Sequence, residues 1–176
     1  MSGIRRLGLA ILLTTACSHG ALAQDPGTLA VSASSGVITL GAGPTEVTLV
    51  AAADGRGASA RSVATRLRSV EAGRQIYLTF TRAQAQAAPG ITYNVYLSLP
   101  ANAVPQGTSD PHYVGTLNFY NATSGRPLDM SLNITSQVGR LLATSAIGDD
   151  VRVTVVPAGE PAAAGPEVGA IRITTR

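Results

Sequence analysis

ITYNVYLSLP (residues 91–100) and HYVGTLNFY (residues 112–120) decide how this chain is read. In the first run Tyr93, Val95, Leu97 and Leu99 alternate with Thr92, Asn94, Tyr96 and Ser98. In the second, Val114, Thr116, Asn118 and Tyr120 alternate with Tyr113, Gly115, Leu117 and Phe119. A period of two sends successive side chains to opposite faces of a strand. Between the runs lies PANAVPQGTSDP, dense in Pro, Gly, Asn, Ser and Asp, which is loop chemistry. The pair is therefore expected to form a β-hairpin with a long connection. It holds Tyr93, Tyr96, Tyr113 and Tyr120, four of the five tyrosines, together with Phe119. In a chain only 4% aromatic, that concentration marks the expected centre of the core.

Outward from the hairpin, Ile76, Leu78 and Phe80 alternate with Tyr77, Thr79 and Thr81. Leu128, Met130, Leu132 and Ile134 alternate in the same way. Both segments read as strands. Leu29 to Val31 reads as a short edge strand. Val37 to Leu40 and Glu46 to Val50 read as two strands joined by the turn GAGPT. Val151 to Val156 and Val168 to Thr175 are the last two strands, with PAGEPAAAGPE between them as a hairpin-type link. A different period appears in Ala60, Val63, Ala64, Leu67 and Val70, which form a helical stripe within residues 58–70. Flanking β-branched residues keep a strand open for Thr65 to Val70. Thr135 or Ser136 is expected to cap a second short helix through Leu142. The sum is an all-β fold: an antiparallel β-sandwich or barrel of about eight strands with one or two short helices.

The first 23 residues carry targeting chemistry instead. Arg5 and Arg6 precede the apolar run Leu7 to Ala16, and Ala21-Leu22-Ala23 fits the small-x-small cleavage rule. Residues 1–23 are expected to be a signal peptide and residues 24–176 one domain, periplasmic or secreted. The apolar run is too short to span a membrane. Lipid anchoring through Cys17 competes with soluble export, although Thr14-Thr15-Ala16 lacks the usual leucine before the cysteine. Cleavage after Ala23 removes the single cysteine and leaves 11 of the 13 basic residues facing 10 acidic ones, a net charge of about +1. That balance gives no reason to expect nucleic acid or an anionic membrane surface as partner.

Catalytic chemistry finds little material. After cleavage His112 is the only histidine. Asp110 stands two residues away, but Asp-Pro-His before a strand is turn chemistry, and a metal centre needs more ligands. Asp149-Asp150 after Gly148 reads as a solvated turn, short of the oxygen ligands calcium requires. No nucleophile motif occurs in a credible setting. The glycines of GAGPTE lack the lysine of a phosphate loop. Asn121-Ala-Thr123 and Asn133-Ile-Thr135 are formal glycosylation sequons. No enzyme activity and no cofactor are expected.

The runs YNVYLSLP and HYVGTLNFY resemble the C-terminal domain of tyrosinases and polyphenol oxidases. The resemblance extends through PLDMSLNITSQVGRLL, VRVTVVPAG and VGAIRIT, covering Gln75 to Thr175. It implies a β-sandwich of the kind that packs over a di-copper catalytic domain. Tyrosinase copper needs six histidines, so the chain is not itself a tyrosinase. The implied role is shielding, or assisting the maturation of, a tyrosinase-like copper protein supplied as a separate chain. In such domains one bulky side chain can project into the entrance of the copper site. The partner-binding candidates are Phe119, Tyr120 and His112, although alternation alone places Phe119 in the core. The alternative is a carbohydrate or cell-envelope binding module, which exposed Tyr77 and Tyr96 on one sheet face would favour.

Overall fold

The structure, a computed structural model, describes residues 29–34, 36–51, 62–122, 125–161 and 165–176. The expected leader (residues 1–23), Cys17 and the first residues of the expected first helix (58–61) lie outside the described residues. The elements in chain order are β1 (Leu29–Ala33), β2 (Ile38–Thr39), β3 (Thr45–Ala51), α1 (Val63–Arg68), β4 (Ile76–Ala83), β5 (Tyr93–Leu97), a 3-10 turn (Gly107–Ser109), β6 (Tyr113–Leu117), β7 (Leu128–Asn133), α2 (Thr135–Ala143), β8 (Val151–Pro157), β9 (Glu167–Val168) and β10 (Ala170–Thr175).

Eight strands run in the order β6-β5-β8-β3-β1-β10-β4-β7, all antiparallel, and β2 with β9 forms a separate ribbon. Among the described residues β1 touches β3 only through Ser32↔Ala51 and Ala33↔Val50. The sheet therefore folds at that weak joint into two four-stranded layers, β7-β4-β10-β1 and β3-β8-β5-β6. At the far edge β6 and β7 approach again, where a Cβ added to Gly115 would meet the Leu132 side chain at 3.0 Å. Leu78, Phe80, Ile171 and Ile173 from one layer meet Leu49, Tyr93, Val95, Leu97, Val153 and Val155 from the other in one buried cluster. This is the antiparallel sandwich that the alternation implies. Fully burying each such side chain contributes about 1.5–3 kcal/mol.

The period-two reading holds along β4 and β5. It changes phase in β6. There Val95 pairs with Gly115 and Tyr96 with Tyr113, so Val114 is the extra residue of a bulge. Strict alternation puts Val114 opposite Leu117 and Phe119, yet all three lie in the core. The aromatic residues are split accordingly. Tyr93 and Phe119 face the core, whereas Tyr96 and Tyr113 stack edge-to-face at 5.9 Å on the other face of the sheet, outside the core cluster, with Tyr96 still buried. The hairpin is also not central, because β6 is an edge strand.

Other expectations fail at longer range. β1 is no edge strand; it lies between β3 and β10. Ile38 and Thr39 pair with Val168 and Glu167, so GAGPT does not close a hairpin. β8 and β10 sit in opposite layers, so the link between them is a crossover. Pro and Gly serve a crossover as well as a tight turn, and composition does not separate the two.

Helices close one end. The stripe holds in α1, where Val63, Ala64 and Leu67 are buried and Ser62 Oγ caps by accepting the Thr65 N–H at 3.2 Å. The carbonyls of Asp149 and Gly148 accept the N–H groups of Val63 and Ala64 at 2.9 and 3.1 Å. The Gly-Asp-Asp turn thus docks the helix. In α2 neither expected residue caps: the preceding Ile134 occupies that place without a side-chain bond. Thr135 Oγ1 instead accepts the Ile76 N–H at 2.8 Å, and Asn133 Oδ1 accepts the Thr135 N–H at 3.1 Å.

Candidate functional surface

The opposite end is built from loops. There the β4–β5 and β6–β7 connections meet where the Ala122 carbonyl accepts the Ala85 N–H at 2.9 Å. The β8–β9 connection joins them through the Ala158 N–H and Thr92 carbonyl at 2.9 Å. Asn118-Phe119-Tyr120 lies at the centre. Asn118 Oδ1 accepts the Tyr120 N–H at 2.9 Å, and the Phe119 carbonyl accepts the Ala122 N–H at 3.1 Å. These bonds turn the chain sharply after β6. Phe119 goes inward, fully buried and edge-on to Tyr93 with centroids 5.7 Å apart at 83°. Tyr120 goes outward and is 74% exposed. The core grips one aromatic side chain while its neighbour is held in solvent.

Tyr120 stands on the rim of an open groove of about 440 Å³ formed with Pro89, Ile91, Asn118 and Ala158. Among the described residues the walls are apolar, amide and hydroxyl, with no ionisable group except the phenol itself. The surface suits packing against an apolar or aromatic partner better than proton transfer. Phe119, as a core residue, offers no surface to a partner; its role is to fix where Tyr120 emerges.

His112 is not part of this surface. It lies at the other end of the β5–β6 pair, a five-residue strand away, roughly 15 Å. Its Nδ1 bonds the Leu97 carbonyl at 2.9 Å, and its N–H donates to Asp110 Oδ1 at 2.8 Å. Asp110 Oδ2 accepts the Gln106 N–H at 3.1 Å. The carboxylate is therefore engaged with backbone and not with the imidazole ring. Asp110 and His112 together fasten the long connection where it enters β6. Among the described residues no group of three or more His, Cys, Asp or Glu side chains could hold a metal, and no helix is long and apolar enough to cross a membrane.

The tyrosine pair named for glycan binding is not presented on one face. Tyr96 is 1% exposed on the outside of the β3-β8-β5-β6 layer, and burial, followed by the Asp110 charge, raises its pKa. Tyr77 lies on the outside of the other layer, bonded to Gln75 Oε1 and covered by the Arg176 guanidinium 5.3 Å from its ring centroid. In the sequence Asn-Phe-Tyr continues the strand pattern and hides the Asn118 turn, whose one local signal is an asparagine able to accept from the N–H two residues on.

A family model described as Domain of unknown function (DUF7868) matches residues 28–175. The curated proteins contain no match to the sequence. Among solved structures, recombinantly expressed latent aurone synthase, a polyphenol oxidase, is 14% identical with a TM-score of 0.51; the match covers 79% of this chain and 25% of that one. The same protein co-crystallised with hexatungstotellurate(VI) and soaked in H2O2 gives 16% identity and a TM-score of 0.50 over 79% and 25%. Latent apple tyrosinase gives 17% identity and a TM-score of 0.47 over 80% and 27%. The chain thus spans about a quarter of the length of the oxidases it is similar to. At such identities the likeness is one of fold.

Proposed function

We propose that this chain, which belongs to the DUF7868 family of domains of unknown function, is an exported, non-catalytic β-sandwich that shields, or assists the maturation of, a tyrosinase-like copper oxidase made as a separate chain. The observation that carries this reading is the fold likeness to a quarter of a latent polyphenol oxidase at a TM-score of 0.51. Tyr120 supplies the physical means. It is a rigid aromatic group, 74% exposed, positioned by a buried neighbour and by its own backbone bond to Asn118. Such a side chain loses little conformational freedom on entering a concave site, which is why tyrosines serve as interface anchors. Export with cleavage after Ala23 belongs to the same proposal and rests on the arginine pair, the short apolar run and Ala21-Leu22-Ala23.

The test mixes the purified chain with the catalytic domain of a polyphenol oxidase from the same source, following complex formation by size exclusion and activity by diphenol oxidation. The expected result is a complex with an altered oxidation rate. Tyr120→Ala is expected to weaken that complex by roughly 2 kcal/mol, the scale of an interface hot spot. Absence of association, with the rate unchanged, overturns the proposal.

A further inference from the structure

A second groove at the loop end collects charge. Pairing of β4 with β7 runs as far as Phe80↔Met130 and then skips to Ala83↔Leu128. Inside that bulge Arg82 has φ of +51°, in the left-handed region that side chains rarely adopt. Asp129 Oδ1 accepts the Arg82 N–H at 2.8 Å. The arginine stem lies over Gly169, where an added Cβ would sit 3.1 Å from Arg82 Cβ and 3.4 Å from its Cδ. The bulge therefore re-aims the guanidinium, as bulges near binding sites do. Arg172 projects from β10 into the same groove, whose volume is about 470 Å³. Among the described residues neither guanidinium has an ion-pair or hydrogen-bond partner. The carboxylates beside them are turned to other donors: Asp129 to the Arg82 backbone, and Glu167 Oε2 to Gln84 Nε2 at 3.3 Å.

We propose that this groove binds an acidic sugar. The sugar carboxylate pairs with Arg82 and Arg172, whose donors match its two oxygens. The ring hydroxyls donate to Asp129 and Glu167, each of which has acceptor capacity left. Val37, 69% exposed on the groove wall, packs against the ring C–H face. A multiply charged phosphate suits the site less well, because it brings more negative charge towards two carboxylates and fewer donors to satisfy them. A second hollow of about 380 Å³, lined by Thr39, Gly125 and Gly165, shares Gln84 and Glu167 with this groove and offers room for a further sugar of an oligomer. The assignment is independent of the oxidase reading and uses none of its residues.

The test is calorimetric titration of the purified chain with trigalacturonate, with maltotriose as a neutral control and inorganic phosphate as the alternative anion. Saturable binding of trigalacturonate, no binding of maltotriose, and at least about tenfold weaker binding in both Arg82→Gln and Arg172→Gln are expected, the scale of one charge-assisted bond lost. Circular dichroism confirms that each variant is folded. Arg172→Gln, in a regular strand, keeps the test readable should the bulge variant unfold. No saturable uronate binding, equal binding of maltotriose, or affinity unchanged in folded Arg172→Gln overturns the proposal. So does arginine-dependent binding of phosphate without binding of the trisaccharide.

Discussion

Phe119→Ala tests the division of labour between adjacent aromatic residues. Phe119 is fully buried and meets Tyr93 edge-on at 5.7 Å. Truncation removes the transfer free energy of the ring and leaves a cavity in a core closed on both sides by sheets. The expected cost is roughly 3–5 kcal/mol, of which the ring pair accounts for about 0.5–1.5 kcal/mol. For a chain of this size that lowers Tm by roughly 10 °C. Tyr120→Ala, one residue on, removes a side chain that packs on little and should change stability by no more than about 0.5 kcal/mol. The assay is urea unfolding followed by far-UV circular dichroism, since the chain has no tryptophan. A double-mutant cycle with Tyr93→Leu isolates the ring contact. A Phe119→Ala cost below about 1 kcal/mol, or an equal cost for Tyr120→Ala, refutes the argument that the core holds Phe119 in order to present Tyr120.

Tyr93 buries a hydroxyl that has no hydrogen-bond partner among the described residues, so Tyr93→Phe is expected to raise stability by roughly 1 kcal/mol in the same assay. Burial also raises the Tyr93 pKa above its ordinary value, as it does for Tyr96. Below about pH 10 both states keep the proton; above it the unfolded chain ionises first, so stability falls with rising pH, and Tyr93→Phe should flatten that fall. Asp110→Ala removes the acceptor for the Gln106 and His112 N–H groups, with an expected loss of roughly 1–3 kcal/mol that Asp110→Asn restores in part. A Cβ on Gly165 would lie 1.6 Å from the Leu40 carbonyl oxygen. Gly165→Ala must therefore shift the crossover, at roughly 1–3 kcal/mol or more by thermal denaturation.

Within each element, the side chains announced most of the structure. Ile76, Leu78 and Phe80 could bury together only on a strand, and Val63, Ala64 and Leu67 only on a helix, because backbone geometry sets those periods locally. The antiparallel β-sandwich and the β5–β6 pairing followed from such patterns. The bulge at Val114 was hidden, because one extra residue inverts the pattern without changing its composition. The candidate surface was half legible. Phe119 and Tyr120 stood out as aromatic residues, but their opposite directions depend on the Asn118 turn and on Ala85 reaching Ala122. Arg82 and Arg172 are 90 positions apart in sequence and meet only because β10 lies beside β4. Strand order was the part that sequence alone did not carry. β8 fits between β5 and β3, and β10 between β1 and β4, because that arrangement lets both layers close over one core. Such closure is decided between distant segments, where local periodicity and turn composition exert no preference.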